Sequence, residues 1–198
     1  VPTMSAETEL APEITISRGI PEMVPMIAKC AMAAIDRYNF VDEMDEEQTT
    51  LYEWLLDICG RTDTLYSYRN TLVAKVDDEV VGCLISYPGD DYEAKRAFTF
   101  AALDGAGPSD TETGPGEYYL DTLALLPAAR GHRIGLRLME SSVAYGLEEL
   151  GYSVVSLLVD VDKPRLEAYY ASLGFRRDRT MKFMGHDYYR MILTGREG

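Results

Sequence analysis

The stretch Leu123-Ala-Leu-Leu-Pro-Ala-Ala-Arg-Gly-His-Arg-Ile-Gly-Leu-Arg-Leu-Met139 decides how the sequence is interpreted. Its apolar start predicts a strand that stops at Pro127, and its last third has the apolar spacing of an amphipathic helix. A short turn with Gly131 and Gly135 lies between them. Free N–H groups at the start of a helix attract anions, and glycines let an anion approach the backbone closely. The stretch therefore predicts a strand, a turn suited to a pyrophosphate, and a helix.

Positive charge is concentrated near this turn in a chain that is otherwise acidic. Arg130, Arg133 and Arg137 lie close together, while the whole chain of 198 residues has a net charge of −14. Residues 1–129 contain 24 acidic and 8 basic side chains, a net −16, and residues 130–198 contain 9 acidic and 11 basic ones, a net +2. Because no large basic face is available, the composition argues against nucleic acid as the main partner.

Two common nucleotide-binding motifs do not fit the turn. A P-loop needs a Gly-Lys-Ser/Thr ending, which the chain lacks. The dinucleotide pattern GxGxxG, with an acidic residue after the next strand, is also missing. Taken alone, a strand, a turn with two glycines and a helix are therefore only weak evidence for a phosphate site.

Hydrophobic periodicity predicts alternating strands and helices around the quoted stretch. Strands are predicted at 13–17, 70–76, 80–87, 117–126, 153–159, 175–183 and 187–193, and helices at 21–38, 48–59, 93–104, 133–150 and 164–173. Residues 105–116, rich in Gly, Pro, Ser and Thr, are predicted to form a loop. This order predicts an α/β (α+β) fold, with a mixed sheet and helices on both faces.

Composition indicates a globular cytoplasmic protein. No apolar stretch is long enough to span a bilayer, and Val1-Pro2-Thr3-Met4 lacks the basic flank and apolar run of a signal peptide. The three cysteines, Cys30, Cys59 and Cys83, lie among apolar residues without CxxC spacing, so they are interpreted as buried thiols and no metal site is expected.

Two motifs resemble one family. Arg130-Gly-His-Arg-Ile-Gly135 resembles the cofactor loop of the GNAT superfamily of N-acetyltransferases, whose pattern is Gln/Arg-x-x-Gly-x-Gly/Ala. Lys163-Pro-Arg-Leu-Glu-Ala-Tyr-Tyr-Ala-Ser-Leu-Gly-Phe175 is similar to that family's helix Asn-x-x-Ala-x-x-x-Tyr-x-x-x-Gly-Phe. The clear resemblance covers residues 117–183. Arg133 replaces the first glycine of the loop, and Lys163 replaces the asparagine that usually helps to hold the cofactor.

The resemblance implies one domain over residues 1–198. It would comprise an N-terminal strand, helices and hairpin (13–87), an insert (88–116), a cofactor-binding core (117–183) and a C-terminal strand (184–198). The sheet would have about six to seven mostly antiparallel strands, with the fourth and fifth strands splayed apart.

Acetyl-coenzyme A (acetyl-CoA) would lie between those two strands, with no metal involved. The backbone of Leu123 and Leu125 would pair with the pantetheine arm, and the amides of the 130–135 turn would hold the pyrophosphate. The implied cofactor-binding residues are Leu123, Ala124, Leu125, Arg130, Gly131, His132, Arg133, Ile134, Gly135, Lys163 and Tyr170.

Three residues are candidates for the chemistry. Tyr170 matches the family's tyrosine by its spacing to Gly174-Phe175, and a tyrosine hydroxyl can protonate a departing thiolate. Glu117 and Asp121 are alternative bases, spaced i, i+4 on one face of a strand. Asp121 lies in an apolar strand, where a carboxylate needs a partner or a purpose. A structural hydrogen bond is an equally good interpretation of either acid.

The sequence leaves three functions open. The first is transfer of an acyl group from acetyl-CoA to a primary amine, by direct attack in a ternary complex. The second is a non-catalytic sensor or partner module of the same fold that binds acyl-CoA, and the third is an unrelated nucleotide-binding protein. The acceptor would be a small molecule or peptide, and the acidic N-terminal half suits a cationic one. No nucleic-acid or membrane partner is expected, and the protein would be a monomer or homodimer.

Overall fold

Seven strands form one sheet, and the computed structural model describes residues 12–104 and 111–195. The strands are β1 (Ile14–Arg18), β2 (Thr71–Val76), β3 (Glu79–Pro88), β4 (Tyr118–Leu125), β5 (Val154–Asp160), β6 (Arg176–Phe183) and β7 (His186–Thr194). The α-helices are α1 (Val24–Ala34), α2 (Glu46–Gly60), α3 (Tyr92–Asp104), α4 (Ile134–Ala144) and α5 (Pro164–Ser172). Their order along the chain is the predicted one.

The sheet is mixed because one of its neighbouring pairs is parallel. The strand order is β1-β2-β3-β4-β5-β7-β6, and every pair except β4 and β5 is antiparallel. β4 and β5 pair only where Tyr118 meets Val155 and Tyr119 meets Ser156. Beyond these residues the two strands separate, while β4 stays paired to β3 as far as Leu125. The predicted fold class, including its splayed fourth and fifth strands, is confirmed.

A β-bulge interrupts the pairing of β4 with β3. Ile85 pairs with Thr122 and the next residue, Ser86, pairs with Leu120, so Asp121 is an extra residue with no partner on β3. Side chains normally alternate between the faces of a strand. At the bulge, Asp121 and Thr122 instead lie on the same face, and their side chains are joined by a 2.9 Å hydrogen bond.

Two hydrophobic cores cover the two faces of the sheet. One lies beneath α1 and α2 and contains Ile27, Leu55 and Tyr87. The other lies beneath α4 and includes Leu138 and Met191. The predicted arrangement of helices on both faces is therefore observed, and it leaves β4 between the two cores.

Local sequence explains where the helices start and end. Asp45 accepts a hydrogen bond from Gln48 N, and Gln48 Oε1 accepts one from Asp45 N, which together form a capping box at the start of α2. The predicted helix over 21–38 is wrong at its end, because α1 stops at Ala34 and Asp36 adopts a left-handed backbone. The helix predicted over 133–150 changes to a π-helical turn at residues 145–149.

Some sequence-based predictions concern residues outside the described part of the chain. These are the N-terminal four residues and positions 105–110 of the predicted loop. Within the described ranges, no helix is long and apolar enough to cross a membrane. The same ranges contain no group of His, Cys, Asp or Glu side chains that could hold a metal ion. All three cysteines are buried and free, as predicted.

Candidate active site

The predicted pyrophosphate turn lies at the surface. β4 is followed by a short 3-10 turn (Pro127–Ala129), and the next four residues, Arg130 to Arg133, are all exposed. Gly131 has a φ of +81°, and a Cβ added there would have no atom within 4 Å. A backbone with positive φ favours glycine over other residues. The turn is therefore uncovered, as an anion site requires.

Arg133 occupies the residue just before α4 with a left-handed backbone, φ 59° and ψ 19°. The glycine of the family pattern would adopt this conformation without strain, whereas arginine does so at some cost. No side chain caps this end of the helix. The first N–H groups of α4 therefore remain available to a bound anion.

The strand end and the turn share one cavity. Its volume is about 310 Å³, and it is lined by Leu123, Ala124, Leu125 and Arg130 together with two alanines of α1, Ala33 and Ala34. A Cβ added to Gly135 would lie 3.5 Å from Leu125 Cδ1, so the first turn of α4 stands directly over the strand end. The structure thus brings Leu123, Ala124, Leu125 and Arg130 together around one cavity, whereas Ile134, also predicted for the cofactor, is buried in the core beneath α4.

The remaining predicted cofactor residues lie on the β5 side of the splay. Lys163 precedes α5, is exposed, and does not cap that helix with its side chain. Tyr170 lies in α5, partly buried, with its ring 6.2 Å from that of Phe175. Burial, followed by the neighbouring Tyr169, raises the pKa of Tyr170 to about 12. Its hydroxyl therefore stays protonated near neutral pH.

Asp121 lies in a pocket of tyrosines on the α1–α2 side of the sheet. The Tyr87 hydroxyl donates to Asp121 Oδ2 at 2.5 Å, and the Tyr66 hydroxyl makes a longer contact of 3.4 Å with Oδ1. Burial raises the pKa of Asp121, although the hydrogen bonds from Tyr87, Thr122 and Tyr66 act in the opposite direction. Asp121 is partly exposed as a residue, and its carboxylate has an increased tendency to take up a proton.

Glu112 belongs to the same pocket, and sequence analysis did not identify it. The Tyr119 hydroxyl donates to its Oε1 at 3.0 Å and the Tyr92 hydroxyl to its Oε2 at 3.2 Å. Burial and the nearby Asp121 raise the pKa of Glu112 well above its ordinary value. The only sequence signal was an acid shortly before a tyrosine-rich strand, which does not predict that the two acids meet.

Glu117 is the more strongly paired of the two predicted bases. It is buried, forms an ion pair with Arg190 of β7, and accepts a 2.6 Å hydrogen bond from Thr113 Oγ1. Arg190 also pairs with Asp178 of β6 at 2.6 Å. These contacts join the start of β4 to the β6–β7 hairpin. Arg190 lies between apolar residues in β7, and nothing in its local sequence indicated this role.

The comparison with protein families agrees with this geometry. A model of the acetyltransferase (GNAT) family matches residues 31–175, which is most of the chain. The chain belongs to the GNAT family. It is therefore an acetyltransferase, and members of this family use acyl-CoA as the acyl donor.

Solved structures place the chain in the same GNAT fold. One described as an acetyltransferase is 27% identical, with a TM-score of 0.75, and the match covers 91% of this chain and 98% of that one. An N-acetyltransferase from Staphylococcus aureus Mu50 is 25% identical, with a TM-score of 0.74 and coverage of 90% and 100%. The NatC complex bound to Gag peptide and CoA is 14% identical, with a TM-score of 0.54 and coverage of 93% and 99%, which is a likeness of fold alone. No curated protein matches this GNAT chain by sequence.

Proposed function

We propose that this acetyltransferase transfers the acetyl group of acetyl-CoA to a primary amine by direct attack in a ternary complex. The observation that carries the proposal is the gap between β4 and β5, which opens beyond Tyr119 and Ser156. The partly exposed Asp121 lies just past the opening, and the exposed residues 130–133 of the turn lie beyond the far end of β4. One extended molecule in the gap could therefore reach both places.

Backbone groups carry the proposed binding of the donor. The edge of β4 that faces the gap has no strand partner in the described chain after Tyr119, so Leu123 and Leu125 could pair with the pantetheine amides as a strand would. The amides of Arg130 to Gly135 and the start of α4 would hold the pyrophosphate. Replacement of the family asparagine by Lys163 leaves a cation at the start of α5, which also suits an anionic donor.

Asp121 and Tyr170 divide the proton transfers in this proposal. An aliphatic amine is protonated near neutral pH, so Asp121, directly or through water, takes one proton from the ammonium group. The amine nitrogen then forms a bond to the acetyl carbon as the carbon–sulfur bond breaks, and it gives up its second proton to water. Tyr170 donates its hydroxyl proton to the sulfur that leaves, and both residues return to their starting states by exchange with water.

Glu117 has a supporting role in this proposal. Its carboxylate is already engaged by Arg190 and Thr113, so it is less available than Asp121 to take up a proton. Loss of Glu117 would leave Arg190 without its buried partner. We therefore assign the base to Asp121 and the anchoring of the β4 start to Glu117.

Calorimetry and a thiol-release assay test the proposal in two steps. Acetyl-CoA is expected to bind, and ATP and NAD are expected not to bind. Primary amines are then expected to release free CoA thiol, whereas alcohols of the same size are not. Absence of acetyl-CoA binding overturns the proposal. Binding without turnover on a broad amine panel would favour a non-catalytic acyl-CoA-binding role.

A further inference from the structure

We infer that Glu112 determines acceptor specificity by binding a second positively charged group of the acceptor, so that the preferred acceptors are diamines. The inference rests on the proposed function, and in particular on Asp121 as the group that receives the proton of the reacting amine. Glu112 would bind a charged group that does not react.

The two carboxylates lie at the ends of adjoining tyrosine rings. Tyr87 donates to Asp121 and Tyr119 donates to Glu112, and the centroids of these two rings are 5.6 Å apart in an edge-to-face arrangement. Glu112 and Asp121 are each partly exposed, so one small molecule from solvent could reach both. Tyrosine rings also provide faces that attract an alkylammonium group.

Glu112 and Asp121 act on each other electrostatically. Arg190 is engaged with Glu117 and Asp178. Arg96 acts on Glu112 and lowers its pKa, but burial and Asp121 raise it more. The two acids therefore repel each other within a partly buried pocket. An acceptor with two positive charges would relieve this repulsion.

Ser156 gives an independent indication that a polar ligand group enters here. Its side chain is 1% exposed, and its Oγ has no hydrogen-bond partner within the described chain. Ser156 pairs with Tyr119 at the point where β4 and β5 separate, so both side chains project from the same face of the sheet. A buried hydroxyl without a hydrogen-bond partner is destabilising unless a ligand supplies that hydrogen bond.

Charge balance through the reaction favours a diamine. Before transfer, two ammonium groups would face two carboxylates. During transfer the reacting ammonium gives one proton to Asp121, which becomes neutral, and a second proton to water, so that its nitrogen becomes a neutral amide. The second ammonium remains opposite ionised Glu112, so the site is balanced before and after the acetyl group moves.

A matched pair of amines tests the inference. We would measure kcat/KM for butane-1,4-diamine and for n-butylamine at saturating acetyl-CoA, in wild type and in Glu112→Gln. The wild type is expected to prefer the diamine by tenfold or more. Glu112→Gln is expected to reduce that preference by at least tenfold, mainly through the KM of the diamine. Glu112→Asp, which keeps the charge, should restore part of the preference.

The control variant is Glu53→Gln, because Glu53 is an exposed acid on α2 and its loss should leave the preference unchanged. Equal use of the two amines by the wild type overturns the inference, as does an equal loss of both activities in Glu112→Gln. Failure to acetylate either amine, by a protein that binds acetyl-CoA and acetylates another amine, also overturns it and leaves the proposed function standing. Absence of acetyl-CoA binding would overturn the proposed function itself.

Discussion

Among single residues, Asp121 is partly buried and accepts hydrogen bonds from tyrosine hydroxyls. Replacing it by asparagine keeps the size of the side chain and removes the base. We expect Asp121→Asn to lower kcat by about 10²–10⁴-fold, the usual range for loss of a general base. The Kd of acetyl-CoA, measured by calorimetry, should change little. The exposed acid Asp57 on α2 provides the matched control, and Asp57→Asn should have wild-type kcat.

The pH dependence of activity follows from the raised pKa of Asp121. The carboxylate must be ionised to accept a proton, so activity should fall about tenfold per pH unit below that pKa. Because burial raises the pKa, this fall should begin above the ordinary range of an aspartate, near pH 4. A profile of kcat/KM against pH tests this. A decline that begins only below pH 4, or one that persists in Asp121→Asn, would contradict it.

Glu112 should reduce stability near neutral pH. Its pKa is higher in the folded state than in the unfolded chain, so the unfolded chain ionises first as the pH rises. The free energy of unfolding is therefore highest below the ordinary glutamate pKa and falls until the pH passes the pKa of the folded state. Glutamine is uncharged throughout. Glu112→Gln should therefore raise Tm at pH 8 relative to wild type. Thermal melts should show this gain shrinking toward pH 4.5, and an unchanged or lower Tm at pH 8 would refute it.

Among the elements, the start of α4 carries the proposed donor site. Gly135 has ordinary room for a methyl group, with the nearest atom 3.5 Å away, so Gly135→Ala should keep the wild-type Tm. The added methyl group would point toward Leu125 and Leu123 of β4, and the family pattern admits alanine at this position. We therefore expect the Kd of acetyl-CoA, measured by calorimetry, to change little in this variant. A large rise in Kd at unchanged Tm would contradict this placement of the pyrophosphate.

Arg133 gives the complementary prediction at the same helix end. Its left-handed backbone is disfavoured for arginine but not for glycine. Arg133→Gly should raise the free energy of unfolding by up to about 1 kcal/mol. The gain is reduced because glycine also increases the conformational entropy of the unfolded chain. Urea unfolding measures this change. Clear destabilisation would mean that the arginine side chain makes a contribution larger than the backbone strain.

Sequence predicted the elements of the core well because their apolar patterns are local. The strand containing Tyr118–Leu125 and the helix after Arg133 were located to within a residue or so at their starts. The bulge at Asp121 was not predicted, since one extra residue leaves the composition of the strand unchanged. The placement of Glu112 and Asp121 at adjoining tyrosines was also missed, because it depends on where the chain after the insert returns to the sheet.

Across the whole molecule, exposed charge is unevenly distributed. The segment before α2 and the first turn of that helix carry exposed acids, among them Glu43, Glu46 and Glu47, whereas β6 carries exposed Arg176 and Arg179. The sequence predicted this uneven distribution. Acidic surface raises the local concentration of a cationic acceptor, and salt screens the effect.

Ionic strength should therefore act on the acceptor step. Between 50 and 500 mM NaCl we expect the KM of a cationic amine to rise several-fold, with a smaller change in kcat. 4-Aminobutanoate, which carries a carboxylate in place of the second amine, is the matched comparison and should show no such rise. Equal salt dependence for both amines would argue that the acidic surface does not attract the acceptor.

The β-bulge at Asp121 changes which positions of β4 point toward each face of the sheet. Odd-numbered positions, Tyr119 and Asp121, point toward α1 and α2 before the irregularity, and even-numbered positions, Thr122 and Ala124, do so after it. In an uninterrupted strand with the same residues, Leu123 would instead turn into the tyrosine pocket, and Ala124 would leave its place between the α-helices and the sheet. The one extra residue thus allows the proposed base and the residues proposed to pair with the donor to keep their separate orientations within a single strand.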